Sequence, residues 1–330
     1  MFTPSSILIT GFSGFVGGYL VEQCCTFYPH AQLFGLCRFS TPRTTVADMQ
    51  SVTPLITDIT KPEDVRRAVR QSRPDLIFHL AAQSSVTASW NDPLFTLQVN
   101  AGGTLHLLEA LRAEHLSPRV VLVSSGELYG QVKLEENPIN EESLPRPVSP
   151  YGVSKLAQDM YGYQYFVTYG LPILRARPFN HFGPRQPSTF VVADFARQIA
   201  IIEQGKAEPV LSVGNLRAMR DFLPVVDVVR AYLAMAGHGK AGQAYNIGSG
   251  HARSIGEILE MLLAHAKASI QVREEPARLR PIDVPLLVAD ASRLCTDTGW
   301  QPMINLDIAL EHTLEYWRKT VNQNESCTTQ

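Results

Sequence analysis

The chain has 330 residues, of which 45% are hydrophobic, so it is long enough to bury a large core in one or two domains. Its net charge of −2 and the absence of any bilayer-length apolar stretch argue against nucleic acid and membranes as partners. Five cysteines without a C-x-x-C pair predict reduced thiols in a cytoplasmic protein, and nine histidines without an H-E-x-x-H motif predict no catalytic metal.

Short apolar strands alternate with helical segments over the first half of the chain, a pattern typical of a parallel α/β sheet. The amino terminus lacks a basic segment and reaches the first strand by Ile7, so we expect no signal peptide. The predicted strands cover 7–10, 33–37, 55–56, 75–79, 119–124 and 173–177. The predicted helices cover about 15–27, 94–114 and 151–169.

The pattern becomes less regular after residue 178. We predict a helix over about 190–204 and a second, opened by the capping box of Ser254 and Glu257, to about 267. The polar segment 321–330 is expected to fray. We therefore predict a nucleotide-binding domain of residues 1–178 plus about 222–247, and a smaller α/β substrate domain of about 179–221 and 248–330.

A glycine turn joins the first predicted strand to the first predicted helix. Gly11, Gly14 and Gly17 provide small residues that let the backbone approach a pyrophosphate, and the helix start supplies N–H donors. Because the turn directly follows a strand and precedes a helix, it predicts a dinucleotide site.

The end of the second strand bears on the choice of cofactor. NAD enzymes of this architecture usually carry an acidic residue there, whereas this chain has Arg38, which suits a 2′-phosphate. We therefore expect NADP(H), with NAD(H) possible if Arg38 only stacks on the adenine or faces solvent. Asp58 is placed either to bind the adenine amine or to cap a turn. Leu80, Ala81 and Ala82 offer small side chains along which a cofactor can lie.

Tyr151 and Lys155 are four residues apart in a predicted helix, with Ser149 as its N-cap and Pro150 in its first position. Residues at this spacing share one helical face. A neighbouring cation and the helix start both favour phenolate, so we expect the pKa of Tyr151 to be lowered toward the working range. Ser125, after the fifth strand, is placed to hold a reacting oxygen. The three residues predict hydride transfer at a carbonyl or alcohol.

These motifs resemble the extended short-chain dehydrogenase/reductase family over essentially the whole chain. The matching residues are Gly11, Gly14, Gly17, His79–Ala82, Asn100, Ser125, Tyr151, Lys155 and Arg177–Asn180. The resemblance implies a Rossmann-type doubly wound parallel sheet, a nicotinamide cofactor, nucleotide-sugar chemistry and a homodimer. It implies cofactor contacts from Gly11, Ser13, Gly14, Phe15, Val16, Gly17, Arg38, Asp58, Ile59, Leu80, Ala81, Ala82, Tyr151, Lys155 and Pro178.

Within the family, the chain is most similar to the branch that acts on guanosine-diphosphate sugars. The similar stretches are Phe179–Pro184, Val213–Leu216, Arg220–Phe222 and Leu279–Val284, the last with Asp283 in place of glutamate. The resemblance implies that Arg220 and Arg280 pair with phosphates, although each could instead form a salt bridge with the adjacent Asp221 or with Asp283. It implies substrate contacts from Ser84, Ser125, Glu127, Asn180, Val191, Asn215, Arg220, Arg280 and Asp283.

The resemblance leaves two reactions as the main alternatives. One is reduction of the C4 keto group of a GDP-4-keto-6-deoxy-hexose by NAD(P)H, and the other is 4,6-dehydration of GDP-mannose. Glu127 stands where the dehydratase places its C5 base, although reductases also carry a glutamate there and a loop carboxylate can simply cap backbone groups. Trp90, Ser154 and Gly183–Pro184 look more like reductase sequences, so we expect the reductase.

Two further functions remain open. One is a nucleotide-sugar 4-epimerase, which needs only the same three catalytic residues. The other is a catalytically silent nucleotide-binding scaffold, which the presence of all three residues disfavours because such a protein would not need to keep them. The guanine base rests on the resemblance alone. The helices near 94–114 and 151–169 either pair in a dimer, as in the family, or pack within one subunit.

Overall fold

The computed structural model describes residues 2–38, 51–279, 282 and 284–326. The strands in these ranges are β1 (Ser6–Thr10), β2 (Gln32–Cys37), β3 (Val52–Ile56), β4 (Leu76–His79), β5 (Arg119–Val123), β6 (Ile173–Pro178), β7 (Asn180–Phe182), β8 (Val210–Val213), β9 (Met219–Pro224), β10 (Ala244–Ile247), β11 (Ala252–Ser254), β12 (Gln271–Glu274) and β13 (Leu286–Leu287). The α-helices are α1 (Phe15–Phe27), α2 (Pro62–Ser72), α3 (Val86–Asn91), α4 (Pro93–Leu97), α5 (Gly103–Ala113), α6 (Pro150–Tyr169), α7 (Val191–Glu203), α8 (Val225–His238), α9 (Ile255–Ala264), α10 (Ser292–Thr298) and α11 (Leu306–Ser326).

Seven parallel strands form the main sheet, in the order β10-β6-β5-β4-β1-β2-β3. This is the order of a dinucleotide-binding fold with one strand added beside β6. The strands are apolar because helices cover both faces; Ile7, Leu8 and Ile9 of β1 are all fully buried. The predicted Rossmann-type parallel sheet is therefore confirmed.

A smaller assembly follows the main sheet. In it β9 pairs with β7, β11 and β13, and β8 pairs with β12. Helices α7, α9 and α11 contribute to a separate hydrophobic cluster there, which includes Phe195, Leu259 and Leu310. The capping box that was predicted to open α9 is present: Ser254 Oγ accepts the N–H of Glu257, and the Glu257 carboxylate accepts the N–H of Ser254.

Several elements were not predicted from the sequence, among them helices α2, α8, α10 and α11 and strand β10. The helix expected over 94–114 is interrupted by a π-helical turn at residues 98–102. The expectation that 321–330 frays is wrong for 321–326, which continue α11; the last four residues lie outside the described ranges. Among the described residues, no helix combines the length and apolarity needed to cross a bilayer.

Candidate active site

The glycine turn lies at the carboxyl end of β1 and closes tightly on itself. Gly11 has φ +72°, in the left-handed region that favours glycine, and a Cβ there would lie 3.0 Å from the N atom of Ala81. A Cβ on Gly17 would lie 2.4 Å from the carbonyl oxygen of Gly11. Gly14 occupies the N-cap of α1 and offers no side-chain cap, so the first N–H groups of the helix face the turn. These features fit a pyrophosphate.

Gly17→Ala is expected to abolish dinucleotide binding, because its Cβ would overlap backbone atoms of Gly11 and Phe12 that cannot move without opening the turn. Isothermal titration with NADPH measures this. Gly237→Ala is the matched control: it lies in α8, and a Cβ there meets nothing within 4 Å. Its expected effect is a gain in unfolding free energy of up to about 1 kcal/mol. Normal NADPH affinity in Gly17→Ala would contradict the prediction.

The other predicted cofactor residues surround this turn. Ser13, Phe15 and Val16 are half-buried in the turn and the first helical positions, and Leu80, Ala81 and Ala82 follow β4 beside Gly11. Ile59 packs against the glycine that begins α5, and Pro178 ends β6 at the same edge of the sheet. The carboxyl ends of the parallel strands thus bring these residues together.

Arg38 and Asp58 lie at the ends of β2 and β3. Arg38 is exposed and acts electrostatically on Asp58. Asp58 Oδ1 accepts hydrogen bonds from the Thr60 N–H at 3.0 Å and from its hydroxyl at 2.7 Å. Partial burial opposes ionisation of Asp58, but the Thr60 hydrogen bonds and the Arg38 charge outweigh it and lower the pKa of this carboxyl. Asp58 therefore caps a turn through Oδ1, and its predicted contact with the adenine amine stays a prediction.

The predicted catalytic residues meet where β5 and α6 approach each other. Helix α6 begins as predicted: Ser149 Oγ accepts the N–H of Gly152 at 3.0 Å, and Pro150 occupies the first position. This places the Tyr151 side chain in hydrogen-bonding contact with Ser125. Ser125 and Tyr151 are each 8% exposed and Lys155 is 3% exposed, so the cluster is almost fully withdrawn from water.

The ammonium of Lys155 does not bond the phenol directly. Its Nζ donates to the Val123 carbonyl at 2.8 Å and to Gln158 Oε1 at 2.7 Å, and lies 6.0 Å from the Tyr151 ring centroid. Burial lowers the pKa of Lys155 to about 7. Burial also raises the pKa of Tyr151, against the opposing effect of its hydrogen bond with Ser125. The predicted lowering of the Tyr151 pKa is therefore wrong for this structure, because desolvation, together with the charge of Glu127, outweighs the hydrogen bond with Ser125.

Glu127 lies in a short 3₁₀ turn of residues 126–128 directly after Ser125. Ser125 Oγ accepts the Glu127 N–H at 3.2 Å, which fixes this turn. Glu127 is half-buried, and its charge contributes to the raised pKa of Tyr151. The carboxylate therefore lies on the same side of the site as the phenol.

The predicted substrate residues are divided among several elements. Asn180 begins β7 and pairs with β9 at Phe222, Val191 begins α7, and Ser84 and Asn215 are exposed in loops. Arg220 is buried, and its Nη1 donates to the carbonyl of Val284 at 2.6 Å. Arg280 and Asp283, just before Val284, lie outside the described residues, so their predicted roles are untested.

The alternative proposed for Arg220 was a salt bridge with Asp221. The Asp221 carboxylate instead accepts hydrogen bonds from the backbone N–H groups of Ser249, Gly250 and Ala289, and from the Ser249 hydroxyl. These bonds satisfy a fully buried carboxylate, whose pKa burial nevertheless raises. Asp221 thus fastens β9 to the loop after β10.

Sequence reasoning missed residues that hold the catalytic side chains. Gln158 accepts from Lys155, a contact that its i+3 spacing on the same helix face could have indicated. Ser89 Oγ accepts the Tyr151 N–H at 3.1 Å, and nothing in the sequence pairs two residues so far apart. The His181 ring stacks on Phe15 at 6.3 Å between centroids, joining the segment after β6 to the glycine turn.

No group of three potential metal ligands lies together in the part of the chain that the structure describes.

The family model described as "GDP-mannose 4,6 dehydratase" matches residues 8–313. The chain is 38% identical to GDP-6-deoxy-D-mannose reductase of Pseudomonas aeruginosa, over 96% of this chain and 98% of that protein. It is 31% identical to GDP-mannose 4,6-dehydratase of Yersinia enterocolitica, over 91% of this chain and 90% of that protein.

A solved structure gives the same relationship. The structure of RMD from Pseudomonas aeruginosa complexed with NADPH superimposes with a TM-score of 0.82 at 36% identity, covering 96% of this chain and 99% of that one. The match of sequence and fold extends over nearly the whole chain. The chain belongs to the GDP-mannose 4,6-dehydratase family, within the extended short-chain dehydrogenases/reductases.

Proposed function

We propose that this protein uses NADPH to reduce the C4 keto group of a GDP-4-keto-6-deoxy-hexose. The observation that carries the proposal is the buried contact between Ser125 and Tyr151, with Lys155 one turn further along α6, at the carboxyl edge of the sheet. The similarity to a GDP-6-deoxy-D-mannose reductase over nearly the full length of both chains supports the substrate class.

Each residue has a defined part in this reaction. The glycine turn and the first N–H groups of α1 would hold the pyrophosphate of the dinucleotide, whose reduced nicotinamide supplies the hydride. Ser125 donates a hydrogen bond that orients the substrate carbonyl. Tyr151 donates its proton to the developing alkoxide, and burial keeps the phenol in the neutral form that can do so. Lys155 would hold the nicotinamide ribose.

The direct test is the absorbance of NADPH in the presence of purified protein and GDP-4-keto-6-deoxy-mannose. Stoichiometric loss of reduced cofactor, with a GDP-6-deoxy-hexose as product, is the expected result. No loss with NADPH or NADH, in protein whose circular dichroism shows it to be folded, would overturn the proposal.

We also propose that Arg38 binds the 2′-phosphate of NADPH, with NADH as the weaker cofactor. The support is its exposed position at the end of β2, together with the NADPH bound in the similar RMD structure. Arg38→Ala should raise the KM for NADPH about 10-fold and leave that for NADH unchanged, as expected for loss of one charge-assisted hydrogen bond. Arg67→Ala, an exposed arginine of α2, is the control. An unchanged ratio of the two KM values would mean that Arg38 does not determine the preference for NADPH over NADH.

Dehydration of GDP-mannose is the second candidate, and the observation that favours it is the position of Glu127 beside Tyr151. A C5 base must be a carboxylate close to the reacting carbons. Incubation with GDP-mannose and NADP⁺ separates the two functions, since only a dehydratase forms the 4-keto product from it. If that product appears, Glu127→Gln should abolish it.

We further propose a homodimer formed through α4 and α6. The support is a run of exposed hydrophobic side chains on these two helices: Leu94, Leu97, Val153, Met160, Tyr161, Tyr163, Val167 and Tyr169. Sedimentation velocity should show a dimer that Met160→Glu dissociates. Ile308→Glu, at an equally exposed apolar position of α11, should leave it intact. A wild-type monomer, or a dimer insensitive to Met160→Glu, would contradict this interface.

The main sheet would form the cofactor domain, and the assembly around β9 the substrate domain, as predicted from the sequence. We also propose a cytoplasmic location; its support is that Cys24, Cys37 and Cys295 form no disulfide among the described residues.

A further inference from the structure

A buried chain of hydrogen bonds connects the glycine turn to the catalytic helix. Its first residue immediately precedes Gly11, and its last lies in α6 one turn beyond Tyr151. Every side chain in it is fully buried: Thr10, His79, Thr104, Asn100 and Ser154. Fully buried polar groups are retained only when they are hydrogen-bonded, so the direction of each bond can be worked out.

The hydroxyl of Thr104 determines which atoms donate and which accept in the middle of this series of hydrogen bonds. Its single hydrogen is donated to the main-chain carbonyl of Asn100 at 2.7 Å. The same oxygen lies 2.9 Å from His79 Nε2 and can only accept there, so Nε2 carries a hydrogen. This assigns the tautomer of the buried imidazole.

The other side of the imidazole ring contacts Thr10. Thr10 Oγ1 accepts the N–H of Ala81 at 3.0 Å and lies 2.8 Å from His79 Nδ1. Complete burial, aided by the charge of Lys155, lowers the pKa of His79 to about 3, so the ring is neutral. A neutral ring with its hydrogen on Nε2 accepts the Thr10 hydroxyl at Nδ1. His79 thus joins the last residue of β1 to α5.

Asn100 continues the connection to α6. Its carbonyl belongs to the π-helical turn at residues 98–102, and its side-chain Nδ2 donates to Ser154 Oγ at 2.9 Å. Ser154 Oγ in turn donates to the carbonyl of Tyr151 at 2.7 Å. The position of the catalytic helix is therefore tied, bond by bond, to the strand that leads into the glycine turn.

We propose that His79 is a positioning residue for hydride transfer: through Thr104 and Asn100, it fixes the distance between the cofactor turn and the helix that carries Tyr151. The inference rests on the proposed reductase function. Hydride transfer needs its reacting atoms close and aligned, and a displacement of about 1 Å can cost about 100-fold in rate. The cofactor is held at β1 and the phenol at α6, so a rigid link between these elements controls that distance.

Thr104→Val removes the link with little change of shape, and Thr104→Ser restores the hydroxyl. We expect Thr104→Val to lower kcat about 10- to 100-fold with KM values for NADPH and sugar within about twofold, and Thr104→Ser to recover most of kcat. Thr313→Val is the control for removing a buried hydroxyl: Thr313 is equally buried and donates to the carbonyl four residues earlier, but lies in α11. Its kcat should match the wild type.

A second pair of variants tests the two sides of the ring. Gln places its amide nitrogen near the position of Nε2, and Asn places its oxygen near that of Nδ1. His79→Gln, which keeps a donor toward Thr104, should therefore retain more of kcat than His79→Asn, which keeps only the acceptor. Equal kcat for these two variants would overturn the role of the His79–Thr104 bond.

Nitrogen-15 NMR of labelled imidazole provides a readout that needs no turnover. We expect a non-protonated Nδ1 and a protonated Nε2 in the wild type, unchanged from about pH 5 to about pH 8. The opposite tautomer, or titration in this range, would overturn the inference even if a Thr104 variant failed to fold. Failure of the proposed function appears differently, as an inactive wild type. Failure of the positioning role appears as an active wild type with an equally active Thr104→Val.

Discussion

Tyr151→Phe is expected to lower kcat by about 10²- to 10⁴-fold, the range attributed to a positioned general acid. The phenol is almost fully buried and contacts Ser125, so no bulk water can replace it as the proton donor. Phenylalanine keeps the ring and its packing, and NADPH affinity should therefore stay near the wild-type value. Steady-state kinetics and isothermal titration measure the two quantities separately.

Tyr161→Phe provides the matched control, because Tyr161 lies on the same helix but is 37% exposed. It should leave kcat unchanged. Near-normal turnover by Tyr151→Phe would remove the phenol from the mechanism. A loss of NADPH affinity that equals the loss of kcat would instead make Tyr151 a binding residue.

The protonation state of the Tyr151 phenol determines how the rate of reduction depends on pH. Because burial raises the pKa of Tyr151, the proton-donating form is complete at neutral pH and is lost only as pH rises through that raised value. Reduction should therefore decline only on the alkaline side. The amine of Lys155, with a pKa of about 7, gains its charge as pH falls through neutrality.

Local signals in the sequence were sufficient for the parts of the site that are contiguous in the chain. The glycine turn, the Ser149 and Pro150 helix start and the capping box at Ser254 each depend on residues within one turn of each other. Their physics is steric or involves neighbouring hydrogen bonds, so the pattern alone predicts the structure.

Other features depend on contacts between distant segments and were not predictable. The π-helical turn at residues 98–102 occurs where Asn100 bonds both Gln83 and Ser154, a match that exists only in the folded chain. The pKa of Tyr151 depends on how completely the site excludes water and on where Lys155 Nζ donates. Neither is encoded in the four-residue spacing of Tyr151 and Lys155, which explains why the direction of the Tyr151 pKa shift was predicted wrongly.

The buried charges behind the catalytic helix determine stability rather than chemistry. Asp159 of α6 is fully buried; its carboxylate accepts from Arg175 Nη1 at 2.7 Å and from Arg177 at 2.8 and 3.0 Å. Arg177 also donates to the Tyr129 hydroxyl, which bonds Asn246 of β10. One carboxylate thus joins α6 to β6, and through Arg177 to the segment that follows Glu127.

Asp159→Asn is expected to lower the free energy of unfolding by about 3–5 kcal/mol, because it leaves two guanidinium groups buried without their shared counter-charge. Urea unfolding followed by fluorescence measures this. Asp64→Asn is the same substitution in the exposed pair with Arg67 on α2, and should cost about 1 kcal/mol or less. A loss for Asp159→Asn no greater than for this control would mean that Glu141, whose charge also acts on Arg177, neutralises the cluster instead.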